Sequence, residues 1–203
     1  SLNAGFFQGS LYLLIFSFLY FVYQAVFTKP DFRKTFFISL SFILPVFLSA
    51  VQIIPFIELV KQSSRIVNYG GLPTESEVFK FFVQFKYLVT TFVPDFFGNP
   101  GKWNYWGDPN YYEFNNFVGS VSVIGLFGLM VSRKNFKKLS FFIVMLILSI
   151  ILATPNFISQ FPYYHSWTVI SSLVPARILL IAQFCIIVLS AYGLSAIFER
   201  ILS

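Results

Sequence analysis

The chain has 203 residues, 57% of them hydrophobic and only 11% charged, with 29 Phe and 11 Tyr. Soluble domains carry roughly a quarter charged residues, so an ordinary water-soluble globule is excluded, and so is disorder, which requires low hydrophobicity and high charge. The net charge of +6 would suit nucleic acid in a soluble protein, but its placement along this chain points elsewhere.

Ser1 precedes the first apolar run without a Met or a basic stretch, so the start does not read as a cleavable leader. The expectation is an internal piece of a longer protein. Five apolar stretches then approach the ~20 residues that a helix needs to cross ~30 Å of hydrocarbon. Residues 9–27 and 36–57 carry no charge. Pro45 and Pro55 lie in the second, which should bend there or end near Ile54, because Pro removes an amide donor and clashes with the preceding turn. Stretches 117–132 and 139–153 are short, and the last, 176–198, has Arg177 at its start. The two short ones are joined by Arg133, Lys134, Lys137 and Lys138 within one connector. Placing that connector at the bilayer centre would cost at least ~2.5 kcal/mol per charge. Two full crossings with snorkelling cations cost less.

Orientation follows the cations in short connectors. Lys29, Arg33 and Lys34 lie between the first two spans, and the four cations at 133–138 join the next pair. In 58–116 acids outnumber cations, and 154–175 has no Lys or Arg. The expected fold is an all-α integral membrane protein of the plasma membrane with five transmembrane helices. Two helices with a basic cytoplasmic turn (1–57) are followed by a long extracytoplasmic loop (58–116). A transmembrane hairpin (117–153), a second outer loop (154–175) and a last helix (176–203) complete it, with the N-terminal end outside and the C-terminal end cytoplasmic. Nucleic-acid binding is not expected, since no exposed basic domain remains.

The span interiors lack charge, which disfavours a proton-coupled pump. Gln24, Gln52 and Gln183 read as helix–helix hydrogen-bonding groups. Chemistry is therefore sought in the outer loops. In 78–93, Lys80, Gln84 and Thr91 recur with Tyr87 between them, while Phe79, Phe82, Val83 and Leu88 fill other faces. This spacing predicts either an amphipathic helix lying on the membrane surface, with Lys86 off its polar stripe, or a short buried helix of the outer part. Residues 94–101 are too rich in Pro and Gly to continue it. Trp103, Tyr105, Trp106, Tyr111 and Tyr112 then alternate with Asn104, Asp108, Asn110 and Glu113. They form either an interfacial aromatic belt or a sugar-binding face. Residues 98–102 are not a phosphate-binding loop of the Walker type, since no Ser or Thr follows Lys102. With His165 as the one histidine, a multi-His metal site is excluded; Cys185 alone forms no internal disulfide and reads as packing. Arg177 either snorkels or clamps a phosphate with its fork. Glu58 and Arg65, two helical turns apart, either pair or bracket a ligand.

In order along the chain, these landmarks make a recognisable set. They are Gly5-Phe6-Phe7-Gln8, Gln52-Ile53-Ile54-Pro55-Phe56-Ile57-Glu58-Leu59 running on to Ser64-Arg65, and Val93-Pro94-Asp95-Phe96-Phe97-Gly98. Tyr105-Trp106-Gly107, Asn110-Tyr111-Tyr112-Glu113, Val118-Gly119 and Val174-Pro175-Ala176-Arg177 follow. The chain resembles the YfhO-like family of bacterial polytopic membrane proteins, among the GT-C-type glycosyltransferases. The resemblance implies transfer of a sugar from a polyprenyl-phosphate donor to a cell-envelope glycan, polymer or lipid outside the cytoplasm. It implies Arg177 and Arg65 near the donor phosphate, Asp95 and Glu113 orienting sugar or acceptor hydroxyls, Trp106 as a stacking surface and Glu58 beside the substrate. It also places the main catalytic carboxylate in an earlier outer loop, upstream of Ser1. A divalent metal is compatible with such chemistry, though this chain offers no metal site of its own. Phe6 stands where the family often has His, and 168–173 lacks the family's additional Arg, which weakens phosphate handling there. The alternative is a non-enzymatic membrane protein, either a subunit translocating lipid-linked sugars or a scaffold of an envelope complex.

Overall fold

The computed structural model describes residues 7–28, 31–51, 53–55, 58, 82–108, 111–131, 136–165 and 173–202. Every regular element among them is helical. The α-helices are α1 (Phe7–Thr28), α2 (Phe32–Leu48), α3 (Tyr111–Phe114), α4 (Val121–Val131), α5 (Phe136–Ala153), α6 (Phe157–Tyr164) and α7 (Leu179–Leu202). Short 3-10 turns occupy Phe85–Thr91, Pro100–Lys102 and Pro175–Ile178. The chain forms two compact units, Ser1–Pro73 with Pro162–Leu173, and Thr74–Phe161 with Val174–Ser203.

In the first unit, α1 meets α2 through the Phe42 ring, which stands edge-on to Phe18 at 6.0 Å and tilted to Phe21 at 6.1 Å. Offset and edge-on ring pairs are the favoured aromatic geometries. Gln24 donates to the Tyr20 hydroxyl at 2.9 Å, so one amide donor is satisfied a turn back in its own helix. The Pro45 break falls earlier than Ile54. α2 stops at Leu48, Ser49 takes φ −91° and ψ 0°, and helical backbone resumes at Ala50. The missing Pro45 amide weakens the turn before it, whereas the turn after it is kept, the Ser49 amide donating to the Pro45 carbonyl at 3.0 Å.

The second unit is built on α7. Its Gly193 faces α4 so closely that a Cβ there would lie 1.8 Å from the Gly125 carbonyl oxygen. A Cβ on Gly125 would meet the Ser190 carbonyl oxygen at 2.4 Å, and one on Gly128 the Gly193 carbonyl oxygen at 2.4 Å. Small residues at each level let the two backbones touch. Ser190 Oγ seals the seam by donating to the Ser122 carbonyl at 2.9 Å. A core of Val83, Tyr87, Phe97, Phe114, Ala153 and Leu179 then joins the 82–118 segment to α5 and the head of α7.

Among the described residues two helical segments are long and apolar enough to cross a membrane: Gln8–Phe27, with mean hydropathy 1.8, and Pro175–Leu202, with 2.2. A third exists if Leu139–Ala153 and Phe157–Tyr164, bent by 54°, count as one span. In the stretch expected to cross at 117–132, the described helix is the 11 residues of α4, about 16 Å at 1.5 Å per residue, and residue 132 lies outside the described residues. The helix starts late because Gly119, at φ +89°, turns the chain before Val121.

Candidate functional site

The segment 82–118 forms a polar and aromatic layer at the heads of α5 and α7. Its entry is extended. The Val83 amide donates to the Ala153 carbonyl that ends α5, at 2.9 Å, and Gln84 keeps ψ 145°. Of the two forms expected over 78–93, the described residues resemble the short buried helix: helical backbone begins at Phe85, is of the tighter 3-10 kind and buries Tyr87, Thr90 and Thr91. Lys80 lies outside the described residues. Tyr87, expected on the polar stripe, is instead 1% exposed, its ring 4.5 Å from Phe97 and 4.9 Å from Phe114. In a 3-10 turn residues i and i+3 share a face, so Tyr87 and Thr90 both turn inward. Lys86 is left at the surface, where it pairs with Asp108 at 3.4 Å. The Tyr87 hydroxyl accepts the Asp108 amide, and Thr90 Oγ1 donates to the Phe114 carbonyl at 2.8 Å. Burial raises the Tyr87 hydroxyl above its usual range. It also pushes the neighbouring Tyr105, which donates to the Asp108 carbonyl at 2.6 Å, up to about 12.

The next turn carries Asp95. It sits at φ +54°, Gly98 at φ +82°, and the Gly98 amide returns to the Asp95 carbonyl at 2.8 Å. Only Gly fits at 98, since a Cβ would stand 2.1 Å from the Asn104 carbonyl oxygen. The Asp95 carboxylate accepts the Tyr111 hydroxyl at 2.5 Å and the Asn99 amide at 3.1 Å. Tyr111 Oη accepts in turn from Asn115 at 2.8 Å and Asn99 at 3.3 Å. These donors favour the ionised acid: the Tyr111 hydroxyl first, then Asn99, hold Asp95 below the usual carboxylate range. The same bond lifts Tyr111 above its usual range. The cavity behind this cluster measures about 10 Å³, room for roughly one water. A ligand hydroxyl reaching Asp95 must therefore come from the outer surface.

Trp106 flanks that surface. It is 67% exposed, with its ring 4.8 Å from Phe97 and its amide donating to the Phe97 carbonyl at 3.0 Å. Between these two turns, Pro100–Lys102 forms a knuckle. The Asn99 side-chain oxygen accepts the Gly101 amide at 2.8 Å, and the Asn104 side-chain oxygen accepts the Asn99 amide at 2.9 Å. Its last residue, Trp103, sits at φ +58° and is 97% exposed. A bulky side chain in the left-handed region costs about 1–3 kcal/mol and persists only where surrounding structure imposes it.

Arg177 is positioned by the turn Pro175–Ile178, whose Pro opens it without needing a donor, while Ala176 and Leu179 are buried beside it. Its fork grips Glu113: Nη2 lies 2.6 Å from Oε1, and Nε lies 3.0 and 3.1 Å from the two carboxylate oxygens. The side chains remain 30% and 22% exposed. Two residues assigned by sequence to separate ligand groups thus hold each other. Asp95 and Trp106 both belong to the layer, with the Trp106 ring against Phe96 and Phe97, which follow Asp95 in the chain, whereas Glu58 is an exposed helical residue of the other unit and Arg65 lies outside the described residues.

Sequence reasoning missed Asn99, Tyr111 as an acid's partner, and Asn115. The one available signal was that Tyr111 and Asn115 are four apart, on one side of a helical turn. Gln183 donates across the fold, to Asn116 at 3.3 Å, though its partner is the strand of loop before α4 and not a helix. Cys185 is fully buried packing. Among the described residues no group of three or more His, Cys, Asp or Glu side chains could hold a metal ion. Comparison with protein-family models, with curated proteins and with solved structures finds no match.

Proposed function

We propose that this chain is part of a membrane glycosyltransferase that moves a sugar from a polyprenyl-phosphate donor to a cell-envelope acceptor outside the cytoplasm. In this reading five helices cross the plasma membrane of a bacterium, and the 82–118 layer lies at its outer face. The observation that supports it is Asp95. A carboxylate kept ionised by two donors, open to the surface and flanked by the exposed Trp106 ring, suits a sugar: C–H faces pack on the ring while a hydroxyl donates to the acid. Asp95 orients that hydroxyl and Tyr111 fixes the carboxylate, while the general base is supplied from outside this chain. Arg177 reaches the donor phosphate by exchanging Glu113 for it, since the guanidinium fork matches carboxylate and phosphate alike.

The test is lipid-linked sugar turnover by the full-length protein in vesicles. Asp95→Asn should lower turnover at least tenfold with expression unchanged, and Arg177→Ala should lower it beyond any loss of expression. The closed Arg177–Glu113 pair favours a second reading, a non-enzymatic envelope scaffold in which the pair is purely a tie. A scaffold retains its function when Asp95 and Glu113 are neutralised together; the enzyme does not.

A further inference from the structure

We infer that the Pro100–Lys102 knuckle is a bilayer anchor that sinks Trp103 into the lipid headgroup region beside the helix heads. The inference rests on the membrane reading above and not on the glycosyl-transfer reading. Three observations carry it.

The first is the cost of the presentation. Trp103 is 97% exposed in a left-handed backbone conformation, so the fold holds a large apolar ring away from every internal contact in a geometry that Trp rarely adopts. The second is that the holding is rigid. Asn99 and Asn104 direct their side-chain oxygens to the Gly101 and Asn99 amides, and Gly98 lets the Asn104 carbonyl approach. Those oxygens are engaged in building the turn, which distinguishes this ring from Trp106. Trp106 packs on the Phe97 ring, two residues on from the Asp95 carboxylate; Trp103 directly follows Pro100, Gly101 and Lys102. An indole with an adjacent Lys is the pairing that settles at the water–lipid boundary, the ring and N–H at headgroup depth and the ammonium in water. The third is continuity. The layer bearing the knuckle is hydrogen-bonded to the end of α5 and packed on the head of α7. That helix belongs to a segment long and apolar enough to span a bilayer, so lipid adjoins the layer. Lys86 and Lys102 of the layer, together with Arg177 that reaches it from the Pro175–Ile178 turn, are matched by Asp95, Asp108 and Glu113. The anchor therefore needs no anionic lipid.

The full chain is made with Trp103 as its one tryptophan, Trp106 and Trp167 being replaced by Phe. It is reconstituted into phosphatidylcholine vesicles brominated near the glycerol end of the acyl chains. The expected result is strong quenching of Trp103 by the brominated lipid, with little quenching by aqueous iodide. Quenching by iodide and not by bromine overturns the inference, and so does protection from iodide that appears only on adding a soluble oligosaccharide, which would make the ring a sugar contact. Flotation with the vesicles separates the two levels. A chain that does not float removes the membrane reading and the anchor with it, whereas a floating chain with an aqueous Trp103 removes the anchor alone. Trp103→Gly provides the fold control, since Gly accepts φ +58° without strain. Its thermal midpoint in detergent should equal or exceed the parent's; a lower midpoint would mean that the ring serves internal packing, and the anchor is refuted.

Discussion

The α4–α7 seam and the aromatic layer above it belong to one compact unit, yet they are made in opposite ways. The seam works by subtraction: Gly125, Gly128 and Gly193 remove side chains until backbone meets backbone, and the remaining polar group, Ser190, donates to a carbonyl. The layer works by addition, with Tyr87, Phe97, Phe114 and Trp106 stacked around a hydrogen-bonded network of Tyr, Asn and Asp. Lipid tails are as apolar as Leu, so helices surrounded by them gain little from burying large side chains and gain instead from close approach. A segment facing water gains from burying rings. Under the membrane reading proposed above, this contrast is what a change of solvent within the unit would produce.

Breaking the layer should have the largest effect. Tyr87→Ala empties the centre of the ring stack and leaves the Asp108 amide without its acceptor. Aromatic-to-Ala changes in a core cost about 3–5 kcal/mol. The expected outcome is a lower thermal midpoint in detergent, with the 82–118 segment becoming the first protease-sensitive site while α7 stays protected. If α7 loses protection at the same temperature, layer and seam are one cooperative unit and the contrast fails.

Breaking the seam comes next. Gly193→Leu places a side chain where 1.8 Å separates the Cβ position from the Gly125 carbonyl oxygen. Overpacking costs typically about 1–3 kcal/mol, and here the obstacle is backbone, which cannot rotate aside. Crosslinking between cysteines placed on α4 and α7 should fall, with Tyr87 fluorescence unchanged. Gly125→Ala offers the milder version and should fall between Gly193→Leu and the parent.

These two regions also differ in how far the sequence discloses them. The apolar runs at 9–27 and 176–198 predict α1 and α7, because a long uncharged stretch has few folded forms open to it. The seam was not singled out, since its glycines are informative only once two helices are known to face each other. A period of 3.6 places Tyr87 among the polar positions, whereas the hydrogen bond from Val83 to Ala153 holds the entry extended and the helix that follows is 3-10. Such a bond links residues 70 positions apart, and no local pattern contains it. Asp95, Trp106, Glu113 and Arg177 stand out in the sequence as chemically capable groups. Their partnerships, Asp95 with Tyr111 and Glu113 with Arg177, are tertiary facts of the same long-range kind.

The smallest effect, and the most selective, is titration. The residues that meet at the seam, Gly125, Gly128, Ser122, Ser190 and Gly193, carry no ionisable side chain, so the titration of Asp95 and Tyr105 reports on the layer. Asp95 has its acidity increased by the Tyr111 and Asn99 donors. Its contribution is therefore fully present above the ordinary carboxylate range near ~3.9 and is lost as pH falls through the lower, folded value. Tyr105 has the opposite sign. Raised from 10.0 to about 12 by burial first and by Tyr87 second, it adds nothing to acid sensitivity and withdraws stability as pH climbs from 10.0 towards 12. Tyr111→Phe separates the two arms. It deletes the first donor to Asp95, so the acid arm should move up towards the ordinary range, while the alkaline arm loses only Tyr111's own share and keeps those of Tyr87 and Tyr105. Melting curves of parent and variant across both limbs provide the measurement. Equal displacement of both arms would mean that the layer titrates as one network, in which Asp95 is not separately held.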